Sequence, residues 1–434
     1  MRILIIASEE WNDYVYSNGV LTNWFTDFPA EFAEIYTSPG LPINNVCDNY
    51  FQISEGQMLK SMFFGNKAGR IVNKPTNEKE ICESKDNARR KGAYGFFKSL
   101  SLYINTPVVM LRDFIWCFGR YNNDLLRSFV DDFNPDIVFC PRKISPKLIR
   151  LEHLVSTITK APFVAFTGDD EASMTGCSIS PLYWLRKWYI HRMFKRHSCL
   201  YSHYFMHSED QAKEYQKEYG LNTSVLFKCG DFSKPFTSKP IGDPIRLVYA
   251  GRLYCNRWIA LVEIGKALQQ INREKTRIVL DIYTQEKLTG KQKKAFEALS
   301  SVHLKNAVTS SELKEIYKRA DIALHVESFD KKYRKITRVS FSTKIIDLLA
   351  SSCAIVAICW DKHAGYQYLH KNDAAICISD YDNILPQMEK ICNNPNIISE
   401  YARKAYQCGK GNHQPEIIRN QIFELFENII KNHK

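Results

Sequence analysis

Short runs of consecutive apolar residues alternate along this chain with stretches whose apolar positions recur at helical spacing. Strands apolar at every position are buried on both faces, so the pattern predicts α/β units built on parallel sheets. In the first half, strands are expected near Ile3–Ala7, Ala33–Tyr36, Tyr50–Ile53, Ile137–Cys140, Phe163–Phe166, Tyr204–Met206 and Val225–Phe227. The pattern lapses over Gly230–Pro244, where three prolines and two glycines leave neither a helical nor an alternating period, as a linker does. It resumes with Ile245–Ala250, a helix over Arg257–Asn272, Arg277–Tyr283, a helix over Ser311–Arg319 and Ile322–Val326. A helix over Ser342–Ser351 follows, then Ile355–Ile358 and Ala375–Ile378. A last helix from Pro415 would put Ile417, Ile418, Ile422, Leu425 and Ile429 on one face.

The reading is therefore two doubly wound domains, residues 1–235 and 244–410, with a terminal helix at 415–434 that could cross back to the first domain. A chain of 434 residues suits two such domains. No apolar run reaches the roughly 18 residues a membrane span needs. The amino terminus reads as a first buried strand rather than a signal peptide, which points to the cytoplasm. The 13 cysteines are scattered singly without a C-x-x-C pair, as reduced core residues would be, and no cysteine or histidine grouping suggests a metal.

Charge changes the picture of partners. Net charge is +12, with 59 Lys and Arg against 47 Asp and Glu, so an anionic partner is expected. The basic residues concentrate in an insertion over residues 56–133. From Lys60 to Lys98 it carries ten Lys or Arg against four acids, followed by Tyr94, Phe96, Phe97 and the aromatic-rich Val108–Phe118. A second stretch, Gly176–Ser208, interleaves Arg186, Lys187, Arg192, Lys195 and Arg196 with Tyr183, Trp184, Trp188 and Tyr189 and has no acid. Both suit an anionic membrane surface or a solvated basic face over an ordinary core. No nucleic-acid-binding module is present, so nucleic acid is not the expected partner.

Two segments carry the chemistry. The strand Leu247–Ala250 runs into Gly251 and Arg252, with Arg257 at the mouth of the next helix. In an open α/β sheet ligands bind at the carboxyl ends of strands, where two arginines make a diphosphate clamp. Farther on, Ser342, Thr343 and Lys344 open a helix, with Ser342 as its cap, and Asp347 lies one turn in. Hydroxyls and a cation there suit phosphate, and an acid one turn on suits ribose hydroxyls. Asp169 and Asp170, after the fifth strand, could serve an acceptor or cap the following segment.

These segments resemble the large group 1 (family 4-like) glycosyltransferases of GT-B architecture, two Rossmann-like domains facing across a cleft. Gly251-Arg252-Leu253 with Arg257 is similar to that family's G-R-L-x-x-x-K element. Residues 311–324 look like its helix, Ala-Asp and following strand, and 347–357 like its E-A-M-A-C-G-L-P-V-V-A stretch. In the first domain, Gly19 after the first strand and His207-Ser208-Glu209 match more weakly. The departures are specific. The first of the family's two glutamates is Val339 here, the second is Asp347, and Ile282-Tyr283-Thr284 replaces a glycine-rich turn. The Phe341-Ser-Thr-Lys344 loop is similar to that of a polysaccharide-assembling subset.

The resemblance implies a retaining, metal-independent enzyme that needs no cofactor beyond a UDP- or GDP-linked sugar. It would transfer to a saccharide or lipid-linked saccharide in cell-surface polysaccharide synthesis, as a monomer or homodimer at the inner face of the membrane. It assigns Arg252, Arg257, Lys344 and Asp170 to catalysis. To binding it assigns Gly19, Asp169, Gly251, Ser342, Thr343 and Asp347. The alternatives are a non-catalytic nucleotide-binding scaffold of the same fold and a sugar-nucleotide epimerase. The eleven histidines show no sequence cluster of the kind the epimerase would want.

Overall fold

The computed structural model describes residues 1–14, 19–75, 105–141 and 144–433. The chain divides into two compact units, Met1–Leu226 with Arg419–Lys434, and Phe227–Ile418. Tyr94, Phe96, Phe97 and most of the basic run toward Lys98 lie outside the described residues.

Among the described residues the first unit has eight strands: β1 (Arg2–Ala7), β2 (Glu31–Tyr36), β3 (Asn49–Gln52), β4 (Arg70–Val72), β5 (Ile137–Pro141), β6 (Phe163–Thr167), β7 (Tyr201–Met206) and β8 (Thr223–Val225). Their order is β4-β3-β2-β1-β5-β6-β7-β8. All pairs are parallel except β3 with β4, which is antiparallel. Ile3, Leu4, Ile5 and Ile6 are fully buried, as consecutive apolar residues must be when helices cover both faces. β4 was not expected from the sequence, and β8 begins two residues before the expected strand.

The second unit holds β9 (Ile245–Ala250), β10 (Ile278–Tyr283), β11 (Val302–Lys305), β12 (Ile322–Val326), β13 (Ala354–Ile358) and β14 (Ile376–Ile378). All are parallel, in the order β11-β10-β9-β12-β13-β14. This is the doubly wound order in which the winding reverses between the first and fourth strands, here β9 and β12, leaving a crevice at their carboxyl ends. The segment expected as a linker, Gly230–Pro244, lacks regular structure but packs into this unit. Phe232 is buried against Tyr406, and Lys239 Nζ donates to the Tyr317 carbonyl at 2.9 Å.

The terminal helix, Pro415–His433, belongs to the first unit from Arg419 onward. Its buried line is Ile418, Ile422 and Phe426, whereas Ile417, expected inside, is 43% exposed. The i, i+4, i+8 line displaces Ile417 because Phe426 inserts against Phe139, with ring centroids 5.6 Å apart.

Candidate functional site in the second unit

Gly251 and Arg252 leave β9 at the reversal of winding, as the sequence expects. Gly251 is there because of Lys344. A Cβ at residue 251 would stand 2.3 Å from Lys344 Nζ, and that ammonium donates to the Ala250 carbonyl at 3.4 Å. The Lys344 side chain reaches the surface, but protein crowds its ammonium and lowers its pKa, with Arg257 and then Arg252 acting in the same direction. Glu327 partly opposes them. Two arginines thus act on the Lys344 ammonium at the end of β9, an arrangement that favours an anionic ligand.

The turn from Arg252 to Arg257 is strained and tied down. Cys255 and Asn256 both adopt left-handed backbone, with φ of 57° and 59°. Such pairs persist only where surrounding contacts impose them, and they concentrate at binding sites. The contacts are Leu253 N–H to Glu286 Oε2 at 2.9 Å, Asn256 Nδ2 to Asp330 Oδ2 at 2.6 Å, and Tyr249 Oη to the Arg252 carbonyl at 2.7 Å. Glu286 and Asp330 were not singled out from the sequence.

Arg257 differs from its expected role as a free half of the clamp. Its guanidinium is forked onto Glu327, with Nε at 2.9 Å and Nη2 at 2.5 Å, and covers the Tyr254 ring at 4.5 Å. Burial works against both charges. Glu327 nevertheless raises the arginine pKa, and Arg257 holds the carboxylate below its ordinary value. The exposed Arg252 side chain has no such partner among the described residues, which leaves Arg252 and Lys344 with donors to spare.

The loop before the next helix also departs from expectation. The helix is Lys344–Leu349, its N-cap is Thr343 in helical backbone, and no side chain caps it, so Ser342 is not the cap. The Ser342 carbonyl instead accepts from Ile345 N–H at 3.0 Å, closing a turn, which leaves the hydroxyls of Ser342 and Thr343 out of the capping role. Asp347 is on the first turn as expected, but its Oδ1 accepts from Lys228 Nζ at 2.8 Å. Val339, where the resembled family has an acid, is 1% exposed, which suits an apolar residue and penalises a charge.

Beneath the cations the structure assembles what the sequence reading denied, a histidine and cysteine cluster. His325 on β12, Cys359 after β13 and His363, which caps the Ala364–Lys371 helix, bring ligand atoms within 4.8 Å of one another. Burial pushes His325 down to about 3 and lowers His363, so both imidazoles are neutral, and it raises the Cys359 thiol. His363 Nδ1 accepts from Gly365 N–H at 3.1 Å, which places its proton on Nε2, while His325 Nε2 is buried without a hydrogen-bond partner among the described residues. After burial, the Glu327 carboxylate acts on His325 in the opposite direction, while Arg257 and Lys344 act with burial against a positive charge there. The four-residue spacing of Cys359 and His363 was the available signal; His325 is 34 positions earlier and could be joined to them only by the β12–β13 pairing.

The remaining predicted residues lie in the first unit. Gly19 takes left-handed backbone (φ 42°) at the start of the Val20–Phe25 helix, and a Cβ there would meet no described residue within 4 Å. Asp170 closes a turn, accepting from Ser173 N–H at 3.3 Å and from Tyr215 Oη at 3.4 Å. That matches the capping role set beside the catalytic one. The Asp169 carbonyl accepts from Gln211 Nε2 at 3.0 Å.

No family model and no curated protein matches the chain. Solved structures do. Sucrose-phosphate synthase from Thermosynechococcus elongatus aligns with a TM-score of 0.61 and 11% identity over 99% of both chains. The α,α-trehalose 6-phosphate synthase of Burkholderia multivorans aligns at 0.58 and 10% identity over 99% of this chain and 97% of that one. A GtfA/B complex aligns at 0.52 and 14% identity, and this chain spans 61% of that chain's length. At these identities the likeness is one of fold, and the fold is the GT-B architecture of two Rossmann-like domains.

Proposed function

We propose that the chain is a glycosyltransferase that takes a sugar from a UDP- or GDP-linked donor bound by the second unit. The observation that carries this is the convergence of Arg252, Arg257 and Lys344 around Gly251 at the winding reversal of an all-parallel sheet. Solved structures of the same fold include a trehalose-6-phosphate enzyme with UDP-2-fluoro glucose and TarM with UDP, which supports a nucleotide-sugar donor. Breaking the anomeric bond puts negative charge on the departing diphosphate, and fixed cations stabilise that charge more than they stabilise the substrate. Arg252 and Lys344 supply direct contacts, while Arg257 is positioned by Glu327. Ser342, Thr343 and the Gly251 backbone line the phosphates, and Asp347 takes the ribose, sharing its carboxylate with Lys228.

In the retaining, metal-independent course, the bond from the anomeric carbon to phosphate oxygen breaks. The acceptor oxygen bonds to that carbon on the same face, and the acceptor's hydroxyl proton passes to the departing phosphate. No other cofactor is required. The first unit is assigned the acceptor, a saccharide or lipid-linked saccharide of polysaccharide assembly, with Gly19 and Asp169 contributing and Asp170 holding the turn. The test is a panel of sugar nucleotides assayed for release of free nucleoside diphosphate, preceded by thermal shifts with UDP, GDP, ADP and CMP. A nucleotide at 100 times its dissociation constant stabilises by about 2.7 kcal/mol. Binding with no turnover on any sugar would favour the second reading, a non-catalytic scaffold, for which the buried Val339 in place of an acid is the specific observation.

A further inference from the structure

Among the described residues, seven of the first unit's thirteen exposed large apolar side chains lie on two neighbouring helices. On Asn105–Phe118 the outward face carries Leu111, Phe114 and Phe118, 51%, 52% and 62% exposed, and the rings of Phe114 and Phe118 lie 4.4 Å apart at a tilt of 40°. The charges of that helix are spent elsewhere: Arg112 faces Glu55 at 3.8 Å and Asp113 accepts from Arg186 Nε at 2.9 Å. The second contact binds the helix to Pro181–His197, whose own outward face carries Leu185, Trp188 and Tyr189. Single exposed apolar residues are ordinary, but two adjoining stripes mark a contact surface.

The chemistry of the rim says what covers it. Past Trp188 the same helix turns basic, with Arg192, Lys195 and Arg196 exposed and no acid from Pro181 to His197. The Arg192 guanidinium lies 5.5 Å from the Trp188 ring centroid. Aliphatic side chains, then Trp and Tyr, then arginine and lysine is the sequence of groups met between acyl chains and anionic headgroups. A second copy of the chain would bring a second set of these cations to the same patch. We propose that this face docks the protein peripherally on an anionic bilayer. The inference rests on the patch alone and stands apart from the transferase reading.

The experiment is sedimentation of the full chain with phosphatidylglycerol or phosphatidylcholine vesicles. The chain is expected to pellet with the first and not the second, and salt is expected to weaken the binding. Phe114→Glu with Trp188→Glu is expected to lower vesicle partitioning at least about tenfold, and Arg192→Glu with Arg196→Glu to lower it comparably. Both pairs are at exposed positions and should leave melting and nucleotide thermal shifts unchanged. Equal recovery in the supernatant with both lipids would overturn the proposal. So would pelleting that neither pair alters, or self-association of the chain that Phe114→Glu with Trp188→Glu abolishes.

Discussion

The ammonium of Lys344 occupies the space in which a side chain at residue 251 would begin. Gly251 and Lys344, 93 positions apart, therefore constrain each other, and an alanine at 251 must push the lysine aside. Its flexible tail can move, so Gly251→Ala is expected to melt like the wild type and to lose transfer activity to the degree Lys344→Ala does, at least about a hundredfold. Arg252→Ala should lose as much, with stability within about 0.5 kcal/mol of wild type because the residue is exposed. Steady-state release of nucleoside diphosphate and a thermal melt check all three; normal turnover by Gly251→Ala would refute the crowding argument.

Arg257 should behave differently. Removing it leaves the Glu327 carboxylate buried and unpaired, so Arg257→Ala is expected to cost about 3–5 kcal/mol, and adding Glu327→Gln should recover part of the loss. Denaturant titration of the single and double variants measures both. A melt unchanged by Arg257→Ala would mean the pair is not what holds the strained turn.

Asp347→Ala is expected to raise the donor dissociation constant more than it lowers the rate at saturation, because a ribose contact is similar in ground and transition states. Lys228→Ala should move donor affinity too, and non-additively, since the two side chains are paired. Calorimetric binding and saturation kinetics on the double-mutant cycle separate the outcomes; normal binding with lost turnover would move Asp347 to the chemical step.

His325 and His363 set a pH dependence. Both have folded pKa values below the unfolded value of about 6.5, so the unfolded chain takes up protons that the folded chain refuses. Stability from them is complete above about pH 6.5 and is lost as pH falls toward the folded values, by about 1.4 kcal/mol per pH unit for each histidine. His325→Leu should remove its share. The stability difference between wild type and variant, measured by denaturant titration at pH 7, 6, 5 and 4, is expected to shift in the variant's favour with each step. A difference independent of pH would show that His325 titrates in the fold as it does in the unfolded chain.

The strands of the central sheets were legible because each is a continuous apolar run, and the reversal at β9 and β12 follows from that order. The edges were not. Arg70-Ile-Val72 has two exposed residues, Val302-His-Leu-Lys305 is polar at alternate positions, and neither carries the run that a strand buried on both faces must have. Within the site, Gly251, Arg252, Lys344 and Asp347 could be found because strand ends and helix starts are local features. Glu327 and Lys228 could not, since their partners lie 70 and 119 residues away.

The return of the last helix to the first unit gives that unit a schedule. Phe139 on β5 and Phe28 meet Phe426 and Phe423, residues made only after all 192 positions of Phe227–Ile418. At the usual pace of synthesis, about 5–20 residues per second, the first sheet waits some 10–40 s with that apolar ground uncovered. Completion of the earlier-made unit thus depends on a later-made segment, and a chain interrupted just after Ile418 would carry the whole second unit and an unfinished first one.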